Sequence, residues 1–392
     1  MRLISSALSL LAALSTVQAS SEKNVARDGA LGGLANSIIK GKAFDRIIQI
    51  WLENTDFGAA QVDPSLKALA QKGLVLSNYF AVTHPSEPNY VSSVGGEYFG
   101  INNDNLFNVP KNVSTVVDLL EDKGISWGEY LEDMPSTGFT GFEFRNPKTG
   151  ANAYVRKHNP LVVFESISTN PSRLAKTKNF TLLYEDVAAN RLPQWVFITP
   201  NMTNDAHDTN IAFGGKWTKQ FLEPLLENPN FNDEGTLVIV TFDENDASSQ
   251  PNRVFTLLLG GAVPKSLLGK TDDNFYTHYS TIASIEANWD LHTLGRWDVG
   301  ANVFNFVAEK TGDLVRSPSN IKDVILNKSY PGIFHSKTQV RQAVPNTKLV
   351  VNGRTVLPAI QDEWVSKVGC TVYSGQLVPP SALNAPQIPS GC

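Results

Sequence analysis

The sequence predicts an α/β protein: a central, mostly parallel sheet sandwiched by helices, with an irregular C-terminal extension. Three observations predict it. Short apolar runs rich in β-branched and aromatic residues alternate with segments of helical apolar spacing, the pattern of strands joined by helical crossovers. Polar and titratable residues gather just after those runs, where a parallel sheet presents its carboxyl edge and open α/β sheets bind ligands. The 392 residues are 42% hydrophobic and 18% charged, a balance that can build a core and excludes a disordered chain.

Taken in order, the chain opens with Arg2, an apolar stretch from Leu3 to Leu14, and small residues at Val17 and Ala19. This is the layout of a secretory signal peptide, residues 1–19, so the mature chain is expected to begin near Ser20. After an N-terminal segment (20–43), the run from Phe44 to Leu52 predicts a buried strand. Pro64 to Lys72 predicts a helix stopped by Gly73, and Leu74 to Val82 a second strand. Val113 to Lys123 has helical spacing and ends at Gly124. Strands are predicted at 195–198, 237–242 and 254–259, and helices at 217–227 (with Pro224 as a possible kink) and 279–289. Residues 128–190 read as less regular. The simplest partition is one catalytic domain over 44–310 and an extension over 311–392, whose Pro379, Pro380, Pro386 and Pro389 suit a surface wrap.

Charge and cysteine usage narrow the function. Lys and Arg number 33 against 38 Asp and Glu, a net charge of −5, with no basic run that would gather phosphates; nucleic-acid binding is not expected. Beyond the leader no apolar run reaches bilayer-spanning length, so no stable membrane anchor is expected. Asn112, Asn179, Asn201 and Asn327 open glycosylation sequons, whereas Pro171 spoils the one at Asn170. Cys370 and Cys392 are the only cysteines, and in an oxidising compartment they would pair and close the tail. Together these features predict secretion to the cell exterior or wall.

There is no Walker phosphate loop, Rossmann glycine fingerprint, HExxH or GxSxG elbow. What stands out is polar residues after the strands: Glu53-Asn54; the segment from Thr83 to Tyr90; Asn201 to Asn210 with His207-Asp208; Asp243 to Asp246; and His278. Glu53, Asn54, Asp243 and Glu244 offer hard oxygen ligands that suit a divalent cation, because carboxylates converging without one would repel and raise their pKa values. Ser86 stands between prolines before a helical stretch that begins near Asn89, with Pro88 suited to the first turn. Such a helix start aims free N–H groups at an anion, and a metal beside Ser86 would activate its hydroxyl. The same placement suits an ordinary helix cap, and local spacing supports both.

The motif HPSEPNY at 84–90, downstream of Glu53-Asn54 and followed by His207-Asp208, Phe242-Asp243-Glu244 and Thr277-His278-Tyr279-Ser280, resembles the phosphoesterase family. That family includes secreted fungal and bacterial acid phosphatases and bacterial phospholipases C, and looks like a branch of the alkaline-phosphatase superfamily. The resemblance covers roughly 44–310. It implies Ser86 as nucleophile and a metal on Glu53, Asn54, Asp243 and Glu244. It also implies catalytic or phosphate-contacting roles for His84, His207, Asp208 and His278, and a substrate-binding element at Lys157-His158, with Asn89 beside it. Asn54 and Glu244 stand where two-zinc relatives use Asp and His. A single divalent ion is therefore expected, calcium, zinc, magnesium or iron. The leading reading is an acid phosphatase acting on phosphate monoesters through a phosphoserine. The alternatives are a phospholipase C-type phosphodiesterase and a non-catalytic surface protein that keeps the fold. Because His84, His158, His207 and His278 fall on the motif segments, an acidic optimum is expected.

Overall fold

The structure, a computed structural model, describes residues 38–389. The signal peptide, most of the N-terminal segment and Cys392 of the expected bridge lie outside the described residues. Eight strands form one sheet: β1 (Arg46–Leu52), β2 (Leu74–Phe80), β3 (Trp127–Leu131), β4 (Thr177–Asn179), β5 (Trp195–Thr199), β6 (Thr236–Phe242), β7 (Arg253–Leu259) and β8 (Lys270–Thr277). Their spatial order is β8-β2-β7-β6-β1-β5-β3-β4. All seven residues of β1 and all seven of β6 are buried, as befits central strands covered on both faces.

The pairing is parallel except at β7, which runs antiparallel to both β2 and β6. The cause is local: the chain passes from Phe242 to Arg253 without a helix, and a short link can only return antiparallel. Strands β3 and β4 lie in the stretch read as irregular. Glu129 and Gly128 break the apolar pattern of β3, although all five of its residues are buried. The edge strand β8 is polar along its first half and irregular between Asp272 and Phe275, which hides it from an apolar count.

Helices cover the sheet in two sets. On one side α1 (Pro64–Ala70) packs with α4 (Ile211–Leu226); on the other α2 (Ser86–Gly95) packs with α5 (His278–Trp289), after α3 (Val116–Asp122) in the chain. Asp63 caps α1 by accepting from Ser65 and Leu66 N–H, each at 2.9 Å. Helix α4 starts earlier than its apolar spacing indicates because Asn210 caps it, accepting from Phe213 N–H at 3.1 Å. The indole of Trp51 on β1 packs against Tyr90 of α2 at 5.1 Å and His278 of α5 at 4.4 Å between ring centroids. That contact places both helices over the centre of the sheet.

The C-terminal extension is tied to the sheet domain by buried polar contacts. The Glu97 carboxylate accepts hydrogen bonds from Trp297 Nε1 at 2.7 Å, from Tyr373 at 3.0 Å and from Tyr330. Within the extension itself, Arg354 and Asp313 form an ion pair that is almost fully buried. Ser329 shares a hydrogen bond of 2.7 Å with Thr83, the residue before His84. Among the described residues no helix is long and apolar enough to cross a membrane.

Candidate active site

Register carries distant residues to one edge. Leu52 pairs with Phe242 and Phe80 with Thr277, so Glu53, Asp243, the 81–86 segment and His278 all emerge on the carboxyl side of the sheet. Backbone bonds lock the junction: Asp243 N–H donates to Leu52 O at 3.0 Å and Glu53 N–H to Asp205 O at 2.8 Å. Helix α2 begins at Ser86 itself, with Glu87 and Pro88 in its first turn.

Two of the predicted residues, Ser86 and His158, converge on Glu53. Ser86 Oγ donates to Glu53 Oε2 at 3.2 Å, and Tyr90 OH donates to Oε1 at 2.5 Å. His158 Nε2 lies 3.2 Å from Glu53 Oε1, while its Nδ1 lies 3.5 Å from Asp205 Oδ2. The His158 ring stacks on Tyr90 with 5.0 Å between centroids. A second group centres on Glu244. It accepts from Asn54 Nδ2 at 2.7 Å and Asn89 Nδ2 at 3.2 Å, and His84 Nδ1 lies 2.9 Å from its Oε2. At the rim, Lys157 Nζ sits 3.2 Å from Asp104 Oδ2 and 3.4 Å from His207 Nε2, and Asp208 Oδ1 lies 2.9 Å from His207 Nδ1.

The electrostatics divide the carboxylates. Burial works against charge on Glu53, but the His158 cation and its hydrogen bond outweigh it and hold the group at about 2. Burial alone would push His158 down; Glu53 and Asp205 raise it to about 9. Burial, with the Glu53 and Glu244 charges added, pushes Asp243 well above the carboxylate range, and burial raises Glu244. Burial carries Asp205 up to about 6, and burial with the neighbouring Asp104 charge carries Glu87 to about 8. Both oxygens of Asp243 and the Oδ1 of Asn54 are buried without a hydrogen-bond partner among the described residues. Unpaired hard oxygens on carboxyls reluctant to ionise are what a divalent cation would satisfy. Glu53, His158 and Asp205 also bring one ligand atom each within 4.8 Å of one another, so Glu53 is shared by two donor sets that could hold a metal.

Three predicted roles do not fit. His278 is fully buried, its Nε2 donates to the Asp243 carbonyl at 2.6 Å, and burial lowers it to about 3. It is a neutral ring that fixes the Asp243 backbone, not a cationic phosphate clamp or proton donor. Asn89 is also fully buried. Its Oδ1 accepts from Val82 and Thr83 N–H, and its Nδ2 donates to Thr83 O and Pro85 O. It shapes the loop before Ser86 and leaves nothing for substrate. His84 likewise pairs with Glu244 and Asn245, so it braces the oxygen cluster.

Sequence reasoning missed Asp205, Tyr90, Asp104 and Glu87. Asp205 stands inside the 201–210 segment and Tyr90 and Glu87 inside the HPSEPNY motif, so the signal was proximity to a strand end. Asp104 had no signal, since it arrives from a loop to accept the Glu87 N–H at 3.0 Å. Of the sequon asparagines, Asn112 is exposed. Asn179, Asn201 and Asn327 are half-buried, with their amide nitrogens donating to Met134, Asp133 and Ser248 respectively.

The model of the Phosphoesterase family matches residues 55–292. The chain is 52% identical over 328 residues to the phosphate-repressible acid phosphatase of Penicillium chrysogenum, covering 83% of this chain and 79% of that one. It is 54% identical over 296 residues to an acid phosphatase of Aspergillus fumigatus, covering 76% of this chain and 66% of that one, just under two thirds. It is 30% identical over 239 residues to a phosphatidylinositol-3-phosphatase of Mycobacterium tuberculosis, covering 59% and 71%.

Proposed function

The chain belongs to the Phosphoesterase family, and on that premise we propose that it is a secreted acid phosphatase that hydrolyses phosphate monoesters through a phosphoserine on Ser86. The observation that carries the reading is the Ser86 hydroxyl, at the start of α2 and hydrogen-bonded to an ionised, buried Glu53. The acid phosphatases among its relatives support the monoesterase; none of those named acts on a phosphodiester by name, so the phospholipase C-type alternative is not favoured.

The oxygen-rich set Glu53, Asn54, Asp243 and Glu244 would hold one hard divalent cation, with His158 as the counter-cation of Glu53 and Asp205. When bound there, such an ion supplies Lewis-acid polarisation of a phosphoryl oxygen and a lowered hydroxyl pKa. The chain's own residues do the rest. Ser86 passes its hydroxyl proton along its hydrogen bond to Glu53 Oε2, and Oγ bonds to phosphorus as the bond to the leaving oxygen breaks, with the α2 N-terminus and Lys157 facing the phosphoryl negative charge; Glu53 returns that proton to Oγ when water opens the phosphoserine. Asp208 accepts His207 Nδ1–H, which turns Nε2 toward the leaving oxygen; the imidazolium donates its Nε2 proton there. The same nitrogen then takes a proton from the water that opens the phosphoserine. The His207 side chain is 33% exposed, so its ring meets both the leaving oxygen and solvent water.

Secretion, glycosylation at the exposed Asn112 and a Cys370–Cys392 bridge complete the proposal. Phosphate release from matched aryl monoester and diester substrates across a pH series tests it. Faster turnover of the monoester, falling as pH rises through the imidazole range, is expected; a preferred diester or an alkaline optimum overturns it.

A further inference from the structure

A cavity of about 450 Å³ opens beside the reacting groups, bordered by Asn54, Asp56, His207, Thr209, Asn210 and Asp246. It meets the site at Asn54 and at His207, the residue proposed to protonate the leaving oxygen. Whatever hangs from that oxygen must therefore begin at the mouth of this cavity. Its lining contains no Phe, Tyr, Trp, Lys or Arg, and its apolar part is limited to two alanines and an isoleucine.

The two acids are held there by the fold. Asp56 Oδ1 accepts from Asn245 Nδ2 at 3.2 Å and from Ala247 N–H at 2.9 Å, which bends the 245–247 loop and turns the exposed Asp246 along the same cavity wall. Lys157, paired with Asp104, stays outside this lining and approaches His207 with its Nζ 3.4 Å from Nε2. The reaction centre thus has an acidic, hydroxyl- and amide-lined side and a cationic side, and His207 stands on both.

We propose that the substrate's leaving group enters this Asp56–Asp246 cavity. The enzyme then favours monoesters of small hydrophilic alcohols that are neutral or carry an amine, and disfavours those with a second anionic group. A Coulombic preference of this kind acts through solvent-facing charges, so it is modest and weakens with salt. The inference rests on the phosphomonoesterase reading of Ser86 and adds the substrate class to it.

Three two-carbon monoesters of nearly equal size test it: O-phosphoethanolamine, 2-hydroxyethyl phosphate and phosphoglycolate. Phosphate release is measured at low ionic strength and a pH at which both the amine and the carboxylate are ionised. kcat/KM is expected to fall in that order, by about tenfold from first to last. Asp246→Lys is expected to bring phosphoglycolate level with or above phosphoethanolamine, reversing their ratio within one protein. Phosphoglycolate turned over as well as phosphoethanolamine by the unaltered enzyme would place the leaving group on the Lys157 side and overturn the inference alone. Release from none of the three would overturn the phosphatase reading together with it.

Discussion

The Ser86 hydroxyl faces a carboxylate that burial alone would protonate, and Glu53 stays ionised only because His158, Lys157 and His207 surround it. Removing the hydroxyl removes the proposed nucleophile, so Ser86→Ala should lower kcat by at least about 10³-fold with the thermal midpoint unchanged. Residual turnover near that of the unaltered protein would remove Ser86 from the mechanism. The His207–Asp208 pair predicts a different signature. His207→Gln should cost about 10²–10⁴ in kcat for an alkyl phosphate, whose leaving oxygen needs a proton, and far less for a nitrophenyl phosphate, whose leaving oxygen does not. Equal losses on the two substrates would show that His207 only binds. His278, from a third motif segment, acts differently. Because its ring bonds the Asp243 carbonyl from full burial, His278→Ala should reduce stability and metal content together, and added metal should restore part of the activity.

At the scale of elements, α2 is the part on which the site depends. Its start is set by Asn89, whose single side chain bonds Val82 and Thr83 N–H, Thr83 O, Pro85 O and Glu244. Truncating it leaves several of those groups buried without partners. Asn89→Ala should therefore destabilise by about 2–4 kcal/mol and lower kcat more than it changes KM. A stable, fully active variant would refute this bracing role. Elements also explain what the sequence made legible. The strands β1, β5 and β6 were readable because continuous burial selects continuous apolar runs. The carboxyl-edge residues Glu53, Asn54, Ser86, Asp243 and Glu244 were readable because strand ends converge in a parallel sheet. Strand β3 was not, since it buries Glu129 in mid-strand, and β8 was not, since an edge can stay polar. The direction of β7 depended on a missing helix between Phe242 and Arg253. The roles of Asn89 and His278 could not be read because a polar residue in a motif looks the same whether it faces substrate or backbone.

Across the whole molecule, buried carboxyl groups predict the direction in which stability moves with pH. Burial raises Glu129 to about 8, and burial with the Asp104 charge raises Glu87 to about 8; burial also raises Glu97, Asp298 and Glu286, the last well above the carboxylate range. A carboxyl whose folded pKa exceeds its unfolded value holds its proton more tightly when folded. Its stabilisation is complete below the unfolded value and is lost as pH climbs through the folded one. His278, lowered to about 3, opposes this, because the unfolded chain takes up its proton as pH falls below the ordinary imidazole range. Glu53, held at about 2, loses its own contribution only at still lower pH. The raised carboxyls outnumber these, so the thermal midpoint should be highest in mildly acidic solution and decline steadily toward about pH 8, matching the pH at which an acid phosphatase works. Glu129 isolates the effect, since it lies in mid-strand on β3, away from the oxygen cluster. Glu129→Gln keeps the shape and cannot ionise. It should leave the midpoint nearly unchanged in acid and raise it at alkaline pH, where its ionisation weakens the unaltered protein by on the order of 4 kcal/mol. Calorimetry of both proteins across the range checks this, and parallel curves for the two would mean that Glu129 is not the acid that burial makes it.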